Sequence, residues 1–437
     1  MKKERVLLAE GKTKKIWTFP QRGDLVCIEN RPQITAFDDP KFTREFAKKA
    51  EYATTTTCRV FELLKAAGIP VAYEEQFSSV AFLAPRCEMI PLEIVARRYA
   101  VGSYLSRNPQ LRGIESDPPH RFHRLVAEFF LKTTKGKLVD QGGQLLTEGL
   151  DPKKGEEDPF ILCPDLTSWY LYHPKKPIWE KGADLGKHIW APHVIGETPI
   201  GDFEDLLRET FLVLEGAWAQ LGYRLIDMKI EFGLTDSGKL IIADVIDNDS
   251  WRLRNQNWQE LSKQAFRDGE ELSEVERKYG TVANLVQQFR IPHQALVLWR
   301  GSEKDDFPKL PDNLNSAGSS VDQITISGHK SPQKSLNQLE EILAKYPDGG
   351  VIIVKVGMSN GLGPILAART SWPVISVPAS AKDFPEDVWS SLRMPSDVPM
   401  TTILNEANAI NHALNILTQK NPLLYMQRQK RIEELDV

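Results

Sequence analysis

In Leu225-Ile-Asp-Met-Lys-Ile-Glu-Phe232, strand alternation gathers Asp227, Lys229 and Glu231 on one face and sends Ile226, Met228, Ile230 and Phe232 to the other. A face this charged belongs either to solvent or to a site. A second apolar run, 240–245, follows the turn signal Asp236-Ser237-Gly238, and a two-residue loop at Ser237-Gly238 predicts Glu231 opposite Asp244. Facing carboxylates repel each other. A divalent cation such as Mg2+, which takes oxygen ligands and holds phosphates, turns that repulsion into attraction. The alternative is a solvated hairpin with its register shifted by one residue.

Glu10-Gly11-Lys12-Thr13-Lys14 joins two short strand patterns, so Gly11 lets backbone amides approach a phosphate while Lys12 and Lys14 supply point charges. Its glycine spacing is not that of a Walker loop, and a surface turn is the commoner explanation. Arg97 precedes the turn Gly102-Ser103, and Asp247-Asn-Asp249-Ser-Trp-Arg252 sets another arginine beside carboxylates. Arginine forks suit phosphates, and carboxylates suit ribose hydroxyls. Further on, Gly301-Ser302 and Ser359-Asn360-Gly361-Leu362-Gly363 each follow an apolar run, where parallel sheets bind ligands and loop amides cradle phosphates. Between them lies Ser327-Gly328-His329-Lys330. A histidine near its ordinary pKa of about 6.5 shuttles protons, although a surface or helix-capping histidine has the same signature.

The elements that hold these residues fall into two sets. Short strands at 6–9, 16–18 and 25–29 mix with helical patterns, of which the clearest starts at Asp202, carries Leu207, Phe211, Leu214 and Trp218 on one face, and stops at Gly222. This first set reads as α+β. Residues 269–292 are charged and helical without a strong apolar face, and they read as a linker between domains at 1–268 and 293–437. In the second, apolar runs at 295–299, 351–356 and 373–377 alternate with helical stretches, the pattern of an α/β parallel sheet covered on both faces. Two polar, glycine- and aromatic-containing stretches between 132 and 190 read as long loops.

At 437 residues two domains are expected. The 55 basic and 59 acidic residues are interspersed, giving a formal charge of -4 without the basic surplus that nucleic-acid binding needs. The first residues hold no signal-peptide core or membrane span, so a cytoplasmic protein with small-molecule ligands is expected. Cys27, Cys58, Cys87 and Cys163 have no metal-binding spacing and read as reduced thiols.

In this order, EGKTK, CEMIPLE with its following AR and GS, DMKIEFG and ADVIDNDSWRL resemble the succinocarboxamide synthetase family of purine biosynthesis. The resemblance implies an ATP-grasp-like α+β fold. It also implies a reaction in which ATP and Mg2+ activate the carboxylate of carboxyaminoimidazole ribotide as an acyl phosphate, and the amine of aspartate displaces phosphate. By motif position it implies ATP contacts at Lys12, Lys14, Lys229 and Glu88 and metal ligands at Glu231 and Asp244. Substrate contacts are implied at Arg97, Ser103, Lys132, Asp158, Asp247, Arg252, Lys263 and Arg267.

The later motifs resemble the animal-type aminoimidazole ribotide carboxylase, which uses CO2 and neither biotin nor ATP. That resemblance implies a three-layer α/β domain and a homo-octameric core. It also implies catalytic residues Asp305, His329 and Lys330, with substrate held by Gly301, Ser302, Ser359, Asn360, Gly361 and Gly363. The chain departs from the families at Phe37, at Ala47 and Ala53 in place of a glycine and an asparagine, at Thr133-Thr134 in place of an acidic pair, at Ser262 in place of an aspartate, and at Lys304 and Met358. These departures leave two other readings: a ligase with a different carboxylate and amine, and a non-catalytic oligomer.

Overall fold

Alternating burial builds the floor of the first unit. Ile226, Met228, Ile230 and Phe232 are buried against the helix Ile200–Gln220, where Leu207, Phe211, Leu214 and Trp218 have no solvent exposure. Each such side chain contributes about 1.5–3 kcal/mol on burial. The helix begins two residues before Asp202, which lies in its first turn and favours the positive end of the dipole rather than capping it. In this computed structural model the described residues are 5–11, 13–35, 43–46, 48–113, 118–140, 142–308, 310 and 319–435. They divide into one unit of residues 1–290 with 432–437, and another of residues 291–431.

The first unit is α+β. An antiparallel sheet runs Val6–Glu10, Lys14–Phe19, Arg22–Asn30, Ala81–Pro85, Glu75–Ser78 and is covered by the helix Lys49–Ala66. An eight-stranded antiparallel sheet runs Asp184–Trp190, Ser168–Tyr172, Phe160–Ile161, Arg121–Leu131, Cys87–Tyr99, Arg224–Thr235, Leu240–Ala243, and Trp251–Arg254 pairs with the other end of Arg224–Thr235.

Two expectations are corrected here. The stretch expected as loops up to 190 contains three strands of the large sheet, because Trp169 and Leu171 alternate with Ser168, Tyr170 and Tyr172 and are fully buried. The stretch expected as a linker contains the helix Leu272–Leu285, packed on the first unit through Val275, Tyr279, Val282 and Ala283. Its apolar stripe is narrow and interleaved with charges, which hid it.

The second unit is α/β. Its five strands are all parallel, in the order Ser319–Thr325, Gln294–Arg300, Gly350–Val356, Val374–Pro378, Thr401–Thr402. One face, with Val297, Trp299, Ile352 and Val354, packs on the helices Pro332–Lys345 and Leu362–Ala367. The helix Glu406–Leu417 lies on strands Gly350–Val356 and Val374–Pro378 and buries Ala409, Ile410 and Ala413.

Candidate active sites

Three neighbouring strands of the large sheet carry one charged face. Across Cys87–Tyr99 and Arg224–Thr235, Glu93 pairs with Glu231, Val95 with Lys229, and Arg97 with Asp227, so all of these side chains point the same way. On the other side of Cys87–Tyr99, Glu128 lies opposite Val95 on the strand Arg121–Leu131, and Lys132 follows that strand.

The register at the hairpin differs from the expected one. Glu231 pairs with Ala243, and Asp244 lies one residue farther on. The connection is one residue longer than two, with Gly238 in the left-handed region at φ +77, and the odd loop shifts the register by one. Asp244 itself has φ +64. The residue facing Glu231 is Glu93, which the sequence reading did not single out, although it lies four residues before Arg97 on the same strand face.

Each of these carboxylates holds an ammonium. Lys14 pairs with Asp244, Lys132 with Glu231, and Lys229 Nζ lies 2.7 Å from Glu93 Oε2. Burial pushes the Asp244 carboxyl up, but Lys14, Lys132 and Lys229 outweigh it and hold it below the usual carboxylate range. Glu93 raises the Lys229 ammonium against its burial. Among the described residues no three His, Cys, Asp or Glu side chains form a ready metal cage. Two carboxylates neutralised by ammonium groups do fit Mg2+, which takes one or two protein carboxylates and completes its shell with phosphate and water.

Beyond this cluster runs a buried charge chain. Arg97, 3% exposed, donates from Nε to Glu128, from Nη1 to Asp227 Oδ2 at 2.5 Å and from Nη2 to Ser103 Oγ at 3.1 Å. Arg107 takes the other oxygen of Glu128, and Arg252 Nη1 lies 2.5 Å from Asp227 Oδ2. Arg97, expected to grip a phosphate, therefore has its fork committed inside the protein. Arg252 retains Nε and Nη2 without a hydrogen bond among the described residues and lies against Gly102, where a Cβ would come within 2.6 Å of Nη2.

Asp247, expected at a ribose, is 2% exposed, and its Oδ1 accepts from the Asp249 amide at 2.8 Å, so it shapes the turn instead. Asp249 Oδ1 accepts from the Tyr279 hydroxyl at 2.6 Å, and its Oδ2 lies 3.1 Å from Lys263 Nζ and 3.4 Å from the buried Lys49 Nζ. Burial opposes ionisation of Asp249, but Lys49 and Lys263 drive it well below the usual range; Asp247 is raised, first by burial and then by Asp249. Lys49, Tyr279, Glu128 and Arg107 had no signal in the sequence beyond residue type. Arg267 lies on the same short helix, Gln264–Arg267, that follows Lys263.

Asp158 stands at φ +53 beside the end of Arg121–Leu131. Its Oδ1 accepts from Thr133 N at 2.7 Å and from Thr133 Oγ1 at 3.2 Å. Glu88 is exposed toward the other end of its strand from Arg97. Lys12, Phe37 and Ala47 lie outside the described residues. A hollow of about 1300 Å3 on the first sheet, lined by Phe19, Leu25, Phe77, Leu83 and Arg86 among others, contains none of the expected site residues, so size does not mark the site.

In the second unit Gly301 and Ser302 follow the strand Gln294–Arg300, and the Gly301 amide donates to Lys355 O at 3.1 Å. Asp305 lies near Gly357; burial raises its carboxyl while Lys355 and Arg300 oppose. His329 and Lys330 are exposed, and the His329 ring lies against Gly361, where an added Cβ would come within 2.4 Å of Nε2. The loop amides expected to cradle a phosphate are used internally. Ser359 N, at φ +61, donates to Asp387 Oδ1 at 2.7 Å, Asn360 N to Ser390 Oγ at 3.0 Å, and Gly363 N to Asn360 Oδ1 at 2.9 Å. The Asn360 side chain also donates to Ser376 and Ser391, which fixes the loop instead of leaving it a free ligand donor.

Comparison with known proteins matches both units. The SAICAR synthetase family model matches residues 7–142 and 186–286, and the AIR carboxylase model matches residues 300–435. The chain is 33% identical over 434 residues to the probable multifunctional protein ADE2 of Caenorhabditis elegans, covering 96% of this chain and 91% of the relative. It is 31% identical over 441 residues to the human bifunctional phosphoribosylaminoimidazole carboxylase/phosphoribosylaminoimidazole succinocarboxamide synthetase, covering 97% and 93%. A solved SAICAR synthetase (Type-2) in complex with ADP covers 65% of this chain and 97% of its own, with a TM-score of 0.47 and 22% identity. With both family models matched in order and full-length relatives above 30% identity, the chain belongs to the bifunctional SAICAR synthetase/AIR carboxylase family.

Proposed function

We propose that the first unit joins carboxyaminoimidazole ribotide to aspartate with cleavage of ATP to ADP and phosphate, and that the second carboxylates aminoimidazole ribotide with CO2, needing neither biotin nor ATP. The ligase reading rests on the charged sheet face of Glu93, Lys229 and Glu231, beside which Lys132 pairs with Glu231 and Lys14 of the five-stranded sheet pairs with Asp244. Lysines placed this way bind a triphosphate as point charges, with Lys12 and Glu88 assigned to the same nucleotide by motif position. Glu231 and Asp244 would hold Mg2+, which neutralises phosphate charge when bound. Arg252, with free donors, takes the ribotide phosphate. Arg97, acting through Asp227 and Ser103, is a positioning residue, and Lys263 and Arg267 are assigned to the same substrate by motif position.

In the second unit His329 is assigned the proton on the ring carbon, Asp305 and Lys330 flank the reaction, and Gly301, Ser302, Ser359, Gly361 and Gly363 line the ribotide. The protein is proposed to be cytoplasmic and to assemble through its carboxylase units as a homo-octamer. A different substrate pair and a silent assembly gain no support from the comparisons, whose full-length matches are to bifunctional members.

The deciding experiment is phosphate release from ATP with carboxyaminoimidazole ribotide and aspartate, followed by mass spectrometry of the product. Succinocarboxamide ribotide is expected. Its absence, with the protein folded, overturns the reading.

A further inference from the structure

We infer that Asp158 is the general base of the ligase reaction, its free Oδ2 taking a proton from the amine acceptor. The inference rests on the ligase reading above.

The other carboxylates around the charged face are each held by a cation. Glu93 sits on Lys229, Glu231 on Lys132, and Asp244 on Lys14. Asp227 sits on Arg97 and Arg252, Glu128 on Arg97 and Arg107, and Asp247 and Asp249 share Lys49. A carboxylate held by a cation is a poor proton acceptor. Asp158 alone among these carries no ammonium or guanidinium among the described residues.

Its geometry suits the task. The Thr133 amide and hydroxyl both hold Oδ1, while the Thr133 hydroxyl also accepts the Asp158 amide at 3.3 Å, so the carboxyl is fixed with Oδ2 unbonded among the described residues. Its backbone is left-handed, a conformation that non-glycine residues adopt where the surroundings impose it. It stands in line with the site, because Leu131 N donates to Pro159 O and Lys132 N to Pro91 O across adjacent strands. The charged groups around it are Glu93 and Glu157, with Lys132 engaged on Glu231. Asp158 is solvent-exposed, yet the protein atoms packed around its carboxyl raise it to about 6 against the Thr133 hydrogen bonds, and Glu93 and Glu157 add to the rise. Asp158 is then a stronger base than an ordinary carboxylate and is still ionised at neutral pH.

The chemistry requires such a group. An amino acid's ammonium, with a pKa of about 8 or above, has no lone pair to attack with. Asp158 takes the first of its three protons. The nitrogen then bonds to the acyl carbon, the carbon–oxygen bond to phosphate breaks with its electron pair going to phosphate, and the second proton leaves with phosphate. The third stays on the amide.

The test compares aspartate with hydroxylamine, which is already the free base at neutral pH. Both reactions are run with ATP and carboxyaminoimidazole ribotide on the wild-type protein and on Asp158→Asn. The expected result is an aspartate rate lowered about 100-fold or more, the range of general-base catalysis, with hydroxamate formation far less affected. An equal fall in both rates, or no fall with aspartate, overturns the assignment. Absence of both products in the wild type overturns the ligase reading itself. This comparison is needed because the ribotide phosphate titrates in the same pH range as Asp158. If Asp158→Asn does not fold, Thr133→Val, which frees Oδ1 from one bond, carries the same comparison, with a selective fall for aspartate expected and an equal fall overturning the assignment.

Discussion

Glu93 and Glu231 face each other across two antiparallel strands, and each is neutralised from a different side, Glu93 by Lys229 on the same sheet and Glu231 by Lys132 beyond the next strand. Like charges placed directly opposite destabilise a sheet unless compensated. Lys229 and Lys132 supply that compensation.

Glu231→Gln removes one arm of that pair and one proposed metal ligand. Turnover is expected to fall by about 100-fold or more, and ATP with Mg2+ no longer raises the melting temperature as it does for the wild type. Full activity in this variant would reject the metal assignment.

Glu93→Gln tests the coupling between Glu93 and Asp158. The Glu93 charge disfavours the ionised form of Asp158, so its removal moves the Asp158 midpoint down from about 6 toward the ordinary carboxylate range. A carboxyl 13C titration by NMR reads this directly. An upward or absent shift contradicts the arrangement.

The two arginines of the charge chain predict opposite phenotypes. Arg252→Lys keeps the charge but loses the fork, so KM for the ribotide rises about 10-fold or more with a smaller change in kcat. Arg97→Lys instead removes the buried fork that joins Glu128, Asp227 and Ser103, leaving Glu128 to Arg107 and Asp227 to Arg252. A lowered melting temperature is its leading effect, read by thermal denaturation.

Gly361→Ala introduces a methyl 2.4 Å from His329 Nε2, so either the ring or the loop must move. Carboxylation of aminoimidazole ribotide is expected to fall sharply while succinocarboxamide formation persists. Assaying the two half-reactions separately on one preparation distinguishes this from general misfolding.

Glu433→Ala removes one of the two carboxylates, Glu215 and Glu433, that pair with buried Arg98, and also the acceptor of the Leu125 amide. A loss of about 3 kcal/mol is expected, the scale of breaking a buried pair, measured by chemical denaturation followed through tryptophan fluorescence. Salt should change it little, because buried pairs are weakly screened.

Period and residue type made the main elements legible in the sequence: the 224–235 strand with its two faces, the helix carrying Phe211 and Trp218, and the parallel strands of the second unit. What escaped depends on distance along the chain. The hairpin register turned on whether Gly238 closes a loop of two residues or three. Glu93 was hidden in an apolar strand until its partner strand was known. Arg97 reads as a phosphate ligand by type, and only the approach of Glu128 from another strand and Asp227 from a third shows that its donors are spent. Tyr279 lay in a stretch whose apolar stripe is too thin to notice without the helix it packs on.

Residues 432–435 belong to the first unit, and Glu433 bonds to Arg98 across 335 positions of sequence. On the ribosome, at roughly 5–20 residues per second, Arg98 emerges on the order of tens of seconds before its partner. Until then its guanidinium has Glu215 and two backbone carbonyls, and Arg208, within the helix Ile200–Gln220, keeps Glu204 but lacks its pairing with Glu433. The first unit thus reaches its final stability only after the second has been synthesised, which exposes the nascent protein to chaperones and proteases in the interval.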